Sequence, residues 1–226
     1  MDHQSTSKLK IWGRTNSINV QKVLWVCEDL AIDYTRIDAG MEHGVNKQPE
    51  YLDMNPNGLV PTISDNGFLL WESHSIMRYL VKRQEALAGV ATPRQNEQSL
   101  LIYPNDPQAA GTIDQWLDWS NTVAWPAMRP IFWGWVRLKP EERDMVALEN
   151  SRQLMIKALG MLDERLSKSP FVAGQHFSIA DIPLALILFR WLNIAVEKPE
   201  FTYTLQWYQR VGERAGFKKY CTLPLT

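Results

Sequence analysis

The sequence predicts an α/β domain followed by an all-helical domain, and three observations carry that reading. Residues 9–38 run strand, loop, helix, strand. Two apolar runs, Leu59–Ile63 and Phe68–Trp71, flank Asp65-Asn66-Gly67, and Asn-Gly between apolar runs is the strongest short-range hairpin signal. From about residue 109 onward the chain reads helical throughout.

Taken in order, residues 1–8 are polar and expected to fray. Leu9–Trp12 is the first strand, ended by the loop Gly13–Ser17, after which Val20, Val23, Leu24 and Cys27 recur at helical spacing. Asp33–Asp38 alternates as a second strand, which should lie parallel to the first through a right-handed crossover. The polar stretch 39–54 holds an irregular helix near Pro49–Met54. Pro61 cannot donate to a ladder, so it marks an edge, a strand start or a turn. A cis Val60–Pro61 bond there would face the Val60 backbone groups outward. Glu72-Ser73 follows the hairpin, with Ser73 as N-cap of a helix to about Leu87 that carries Ile76, Tyr79 and Leu80 on one face.

Gly and Pro accumulate in the next stretch without periodicity, which places a first domain at 1–85, a linker at 86–104 and a helical domain at 105–226. Within the last, 109–136 is Trp-rich and broken near Pro126 and Pro130. Residues 140–167 place Leu154, Ala158, Met161 and Leu162 on one face, 178–195 is apolar nearly all round and hence central, and a last helix fits about 200–214. Ser178 and Asp181 have capping-box spacing, with Phe177 and Ile182 placed as a hydrophobic staple.

Composition narrows the function. The chain has 226 residues, 45% hydrophobic, enough for a sizeable core. Its 24 basic and 25 acidic residues leave a net charge of −1, which offers no broad field for nucleic acid or an anionic membrane. Cys27 and Cys221 are the two cysteines, and they form no Cys-x-x-Cys or zinc spacing. A disulfide framework and a metal site are therefore not expected, and a reducing, cytoplasmic setting is. No stretch of signal-peptide or membrane-span character occurs. Serine-hydrolase, dinucleotide, P-loop and zincin motifs are missing as well.

The combination Asn55-Pro56, Val60-Pro61 and Glu72-Ser73 resembles the cytosolic glutathione S-transferase family, of bacterial theta-like or beta-like serine type. The likeness extends more weakly to about residue 215 and includes FVAGQHFSIADIPLA around the capping box. It implies a thioredoxin-like α/β N-terminal domain plus an all-α C-terminal domain. It also implies glutathione as co-substrate, a hydrophobic electrophile as second substrate, no metal, and a homodimer.

Read residue by residue, the loop before the first helix offers Thr15, Asn16, Ser17 and Asn19. A hydroxyl at a helix N-terminus can donate to an anion that the dipole already favours, and a thiolate is the reactive form of a thiol. The resemblance puts Ser17 on the glutathione sulfur, with Asn16, Asn19 and Thr15 as competitors; the plainer reading of Ser17 is a helix cap. Val60, beside Pro61, could pair with an extended peptide by strand addition. Glu72 could meet the α-ammonium of the γ-glutamyl group while Ser73 takes its carboxylate; the plainer reading is a turn and a cap.

Related enzymes commonly carry a lysine just before the Val-Pro pair. Leu59 stands there in this chain, so His43 and Lys47 are the candidate cations for the glycyl carboxylate. Trp125, Met128, Phe132 and Trp133 are candidates for the electrophile pocket, while Cys27, about three turns into its helix, reads as a structural thiol. The function implied is activation of the glutathione thiolate for attack on an electrophile. Glutathione-dependent peroxidase or disulfide reductase chemistry on the same site, and a non-catalytic binding protein of this fold, are the alternatives.

Overall fold

A computed structural model of the chain describes residues 9–88 and 103–226. The terminal segment 1–8 and most of the expected linker lie outside the described residues. The structure falls into two compact units, within 1–92 and within 93–226.

In the first unit, β1 (Leu9–Trp12), α1 (Ile18–Asp29) and β2 (Tyr34–Ile37) form the expected β-α-β unit, with β1 and β2 parallel. A short helix α2 (Pro49–Met54) precedes the hairpin of β3 (Thr62–Asp65) and β4 (Phe68–Trp71), and α3 (Ser73–Ala88) follows it. The sheet order is β2-β1-β3-β4, with β3 antiparallel to both neighbours. Leu9 and Ile11 of β1 and Ile63 of β3 are fully buried, and Ile11 stands opposite Ile63. α1 packs on α3, where Ile76, Met77 and Leu80 are buried. The hairpin turn has φ +54° at Asn66 and +87° at Gly67, the positive values that a two-residue loop between twisted strands requires. Asp65, at the end of β3, ties the hairpin to α3 by accepting from Tyr79 Oη at 2.7 Å and from Arg83.

Two boundaries correct the sequence reading. β3 begins at Thr62, not Leu59, because the Val60–Pro61 bond is cis and Pro61 has no N–H for the ladder. α3 begins with Ser73 already helical, and the Glu72 carbonyl accepts the first intrahelical bond, from Ile76 N at 2.9 Å. Glu72 is therefore the cap residue.

The second unit comprises α4 (Pro107–Trp119), α5 (Trp125–Phe132), α6 (Met145–Leu166), α7 (Asp181–Leu192), α8 (Thr202–Val211) and α9 (Ala215–Tyr220), the last not foreseen from sequence. π-helical segments at Ser120–Ala124 and Trp133–Arg137 flank α5. Pro126 follows the first of these segments after Trp125, and Pro130 sits inside α5. The expected breaks are thus taken up as widened turns in a continuing helical path. The α6 face is also corrected. Leu154 and Met161 are 58% and 49% exposed, and the buried stripe is Leu148, Ser151, Met155, Ala158, Leu159, Leu162 and Leu166. The helix carries apolar residues on more than one side, so spacing alone did not select the packed one.

α7 is buried along nearly its whole length, as its apolar composition requires. Asp181 anchors its start. One carboxylate oxygen accepts from Val172 N at 3.1 Å and Trp207 Nε1 at 2.8 Å, the other from Ser178 N at 2.9 Å and Ser178 Oγ at 3.2 Å. This is the reach-back half of a capping box, here extended across to α8. Burial pushes the Asp181 carboxyl up to about 6 against the pull of those four donors.

Candidate active site

One end of the sheet gathers the candidate residues. Trp12 pairs with Ile37 and with Thr62, and Thr62 pairs with Trp71, so the segments leaving β1, β2 and β4 and entering β3 all meet at that end. These segments are Gly13–Ser17, Asp38–Gly40, Val60-Pro61 and Glu72-Ser73. The β1 loop is zipped onto the residues after β2 by Gly13 N to Ile37 O at 2.9 Å and Arg14 N to Ala39 O at 3.1 Å.

Val60 is held by a buried polar network that sequence reasoning missed. Tyr51 Oη donates to Leu59 O at 2.6 Å and lies 2.8 Å from Thr62 Oγ1. With its only proton on Leu59, Tyr51 must accept from Thr62. Asn55 Nδ2 lies 3.0 Å from both Leu59 O and Thr62 Oγ1, and Asn46 Nδ2 donates to Gly58 O at 2.6 Å. Asn55 Oδ1 accepts from Asn57 N at 3.1 Å. The residues on both sides of Val60-Pro61 are thereby fixed, while the Val60 N–H and C=O have no backbone partner among the described residues. The available signal was Asn55 itself, since an Asn before Pro at a turn is a side chain that bonds nearby backbone.

Ser17 caps α1 by position, with extended backbone at φ −80°, and its carbonyl accepts from Gln21 N at 2.8 Å. Its hydroxyl makes no capping hydrogen bond, and the first turn of α1 holds no acidic residue. The positive end of a twelve-residue helix is thus uncompensated by a side chain of its own. Ser17 is nearly buried, Asn16 and Asn19 are half-buried, and Thr15 is exposed. Asn19 is directed to α3, where Ser73 Oγ approaches its Oδ1 at 3.5 Å. One turn further, Lys22 Nζ meets His74 Nε2 at 3.0 Å, both residues buried. Because an ammonium only donates, Nε2 is the acceptor and His74 is neutral. Burial first, then the Lys22 and Arg78 charges, hold the imidazole down at about 2.

Glu72 is exposed and has φ +72°, a left-handed conformation that costs a non-glycine residue about 1–3 kcal/mol and tends to occur at functional sites. Among the candidate cations, His43 Nε2 lies 3.5 Å from Glu42 and 3.8 Å from Asp38. Asp38 is also bound by Arg36, which holds its carboxyl below the ordinary range. Lys47 directs its ammonium toward Gly58, where an added Cβ would lie 3.4 Å from Nζ.

In the helical unit α5 and the π-helical segment after it bring three of the four pocket candidates together. The Trp125 and Phe132 rings are 6.5 Å apart, and Arg137 lies over both Phe132 and Trp133, at 5.5 and 5.1 Å. Met128 is fully buried, Phe132 nearly so, Trp125 half-buried and Trp133 40% exposed. Cys27 is buried in α1, and burial pushes its thiol up to about 12, as suits a packing residue. Among the described residues no cluster of metal-ligating side chains occurs and no helix is long and apolar enough to cross a membrane.

Family models for the glutathione S-transferase N-terminal and C-terminal domains match residues 16–83 and 122–215. The chain is 34% identical over 220 residues to glutathione S-transferase GstB of Escherichia coli strain K12, covering 96% of this chain and 100% of that one. It is 32% identical to glutathione S-transferase 1 of Manduca sexta over 87% of this chain and 84% of the relative. Among solved structures, the theta class glutathione S-transferase of Xanthomonas axonopodis pv. citri with glutathione bound superposes with a TM-score of 0.86 at 34% identity, covering 97% and 99% of the two chains. Both units are matched and the likeness runs nearly end to end, so the chain belongs to the glutathione S-transferase family, with its thioredoxin-like N-terminal and all-helical C-terminal domains.

Proposed function

We propose that the sheet-end corner binds glutathione in extended form and that Ser17 holds its sulfur as the thiolate. The observation that carries this is the free N–H and C=O of Val60 on a rigidly bonded turn. A peptide can add there as a short strand. The cysteinyl unit pairs with Val60 beside Pro61, the α-ammonium of the γ-glutamyl group meets Glu72, and its carboxylate takes the Ser73 amide at the helix start, the Ser73 hydroxyl being turned to Asn19 Oδ1. With the sulfur at the start of α1, the Ser17 hydroxyl donates to it and the helix dipole favours the anion. The thiol proton leaves to solvent, a sulfur lone pair forms the new S–C bond, and the leaving group departs from the electrophile. Asn16 flanks Ser17 as the alternative donor, and Asn19 is assigned to holding Ser73.

For the electrophile we propose the aromatic face of α5, with Trp125 and Trp133 in contact and Met128 and Phe132 backing them. Homodimerisation is proposed through β4, an edge strand whose Phe68, Leu69 and Trp71 are all exposed, since exposed apolar edges are ordinarily covered. A cytoplasmic location is proposed on the two unpaired cysteines.

Calorimetry with glutathione and a conjugation assay with a chloronitrobenzene test this reading. Saturable binding with turnover supports it. A folded protein that binds no glutathione overturns it, and turnover of hydroperoxides or mixed disulfides without conjugation would move the assignment to the reductive chemistry.

A further inference from the structure

The aromatic face of α5 also carries charge, and of one sign. Trp125, Arg129, Trp133 and Arg137 follow one another at intervals of four residues. A step of four advances only about 40° around an α-helix, so these side chains share one face of α5 and of the π-helical segment that continues it. Arg129 is exposed, Trp133 is 40% exposed, and Trp125 and Arg137 are half-buried, while Ala127, Met128, Ile131 and Phe132 between them are buried. Two guanidiniums lie against one indole: Arg129 stands 6.0 Å from the Trp133 ring centroid and Arg137 stands 5.1 Å from it. Residues 119–140 contain no Asp or Glu. Among the described residues the Arg129 guanidinium makes no hydrogen bond and no ion pair, and its contact is the Trp133 ring. Arg137 differs, since its Nη2 donates to Thr226 O at 2.7 Å.

An arene poor enough in electrons to be attacked by sulfur has a positive face, and the face of an indole is negative, so such a ring stacks well on an exposed tryptophan. A guanidinium at the edge of the same tryptophan offers a planar fork of donors that matches a carboxylate. We infer that the α5 site selects aromatic electrophiles that carry a negative charge, with the ring laid on Trp133 and a carboxylate taken by Arg129. The inference rests on the electrophile site proposed above and adds to it the charge of the substrate. The bond changes stay those of the conjugation: the sulfur lone pair forms the S–C bond to the ring carbon, chloride leaves with its bonding pair, and the thiol proton goes to solvent. Arg129 binds the substrate and takes no part in these steps.

The test compares kcat/KM for conjugation of glutathione to 4-chloro-3,5-dinitrobenzoate and to the matching benzamide, each divided by its uncatalysed rate. The two differ in charge and share the reacting carbon. The wild type should favour the acid about three- to tenfold, the range of one exposed charge-assisted contact, and the preference should shrink as salt is raised. Arg129→Gln should turn over the acid no better than the amide, and Arg129→Lys should keep part of the preference. Lys139→Gln, which removes a cation of the same stretch outside the four-residue series, should keep all of it. A wild type that turns over the amide as well as the acid, or an Arg129→Gln variant with the wild-type preference, overturns the inference and leaves the conjugation reading standing. The same holds if neither compound reacts while an uncharged chloronitrobenzene does. If none of the three is conjugated, the reading beneath the inference falls. The acid and amide comparison on the wild type needs no variant, so it decides the matter even if Arg129→Gln does not fold.

Discussion

Buried polar side chains occur in both units, and they act differently in each. In the α/β unit Tyr51, Asn55 and Thr62 direct their hydrogen bonds to one another and to the chain around Val60. The Val60 backbone groups stay outside that network. In the helical unit Asp181 accepts from four donors, and all of them belong to the segments it joins. One network fixes the chain on both sides of Val60, where the peptide is proposed to add, and the other closes a core. Substitutions at the first should therefore show up in binding, and at the second in stability.

The largest effect is expected at Asp181. Replacing it with alanine strands the Trp207 Nε1 donor and the Val172 and Ser178 amides in an apolar interior, and each stranded group costs about 1–3 kcal/mol. Urea denaturation followed by tryptophan fluorescence should show a loss of about 3–5 kcal/mol. A loss below about 1 kcal/mol would mean that the cluster is no more than surface capping.

Two buried groups give pH dependences of opposite sign. His74 has its folded pKa lowered, from 6.5 to about 2. Between those values the unfolded chain binds the extra proton, so this group makes stability rise with pH, by up to about 1.4 kcal/mol per unit, and that stability is lost on acidification from 6.5. Asp181 has its folded pKa raised, from 3.8 to about 6. The folded chain binds the extra proton between those values, so its contribution is present below about 4 and is lost as pH rises through 6. From pH 4 to 6 the two largely cancel in the wild type. Subtracting the stability profile of His74→Gln from that of the wild type should uncover the rising limb. A difference that is flat between pH 4 and 6.5 would mean that His74 titrates alike in both states, against its packing on Lys22.

Glu72 should separate binding from folding. Its carboxylate is exposed, so Glu72→Ala should weaken glutathione by about 1–3 kcal/mol, the value of a charged hydrogen bond. Glu72→Gly removes the same group and also relieves the φ of +72°, so it should lose binding while gaining up to about 1 kcal/mol of stability. Parallel loss of both quantities would make Glu72 a folding residue like Asp181.

The two units were also unequally legible. At the sheet end, short-range chemistry marks positions one at a time: Asn66-Gly67 fixes a turn, Pro61 ends a ladder, Ser17 precedes an apolar helix. Those signals located β1, β4 and the corner, and they failed only by the few residues that a cis proline and a strained Glu72 displace. The network of Tyr51, Asn55 and Thr62 was hidden because its members are polar residues whose burial follows from tertiary packing. In the helical unit periodicity located α6 and α7 but assigned Leu154 and Met161 to the packed face, where the neighbouring helices select Met155 and Leu159. Of the tryptophans near α5, sequence identified the cluster, and burial decided that Trp133 is open where Met128 is closed.

The smallest effect, and the one closest to the chemistry, concerns Ser17. A residue that only begins α1 would use its side-chain oxygen to accept from an amide of the first turn, and Ser17 makes no such bond. Its hydroxyl is therefore able to donate elsewhere, at a helix end that carries no acidic side chain. Ser17→Ala should leave α1 in place, because no capping bond is lost, and should leave glutathione affinity largely intact, because the proposed site holds the peptide at Val60, Glu72 and Ser73. What should change is the ionisation of the bound thiol. Removing one donor to the thiolate should raise its pKa by about one unit, which is about 1.4 kcal/mol, and the pH at which conjugation reaches half its maximum should move up by the same amount. Thiolate absorbance titrations of bound glutathione in the wild type and in Thr15→Ala, Asn16→Ala, Ser17→Ala and Asn19→Ala read this directly. Asn19→Ala should act on affinity, through Ser73, with the titration unmoved. If Asn16→Ala shifts the curve and Ser17→Ala does not, the amide is the donor. If no variant shifts it, the first-turn amides of α1 and the helix dipole hold the thiolate without a side chain.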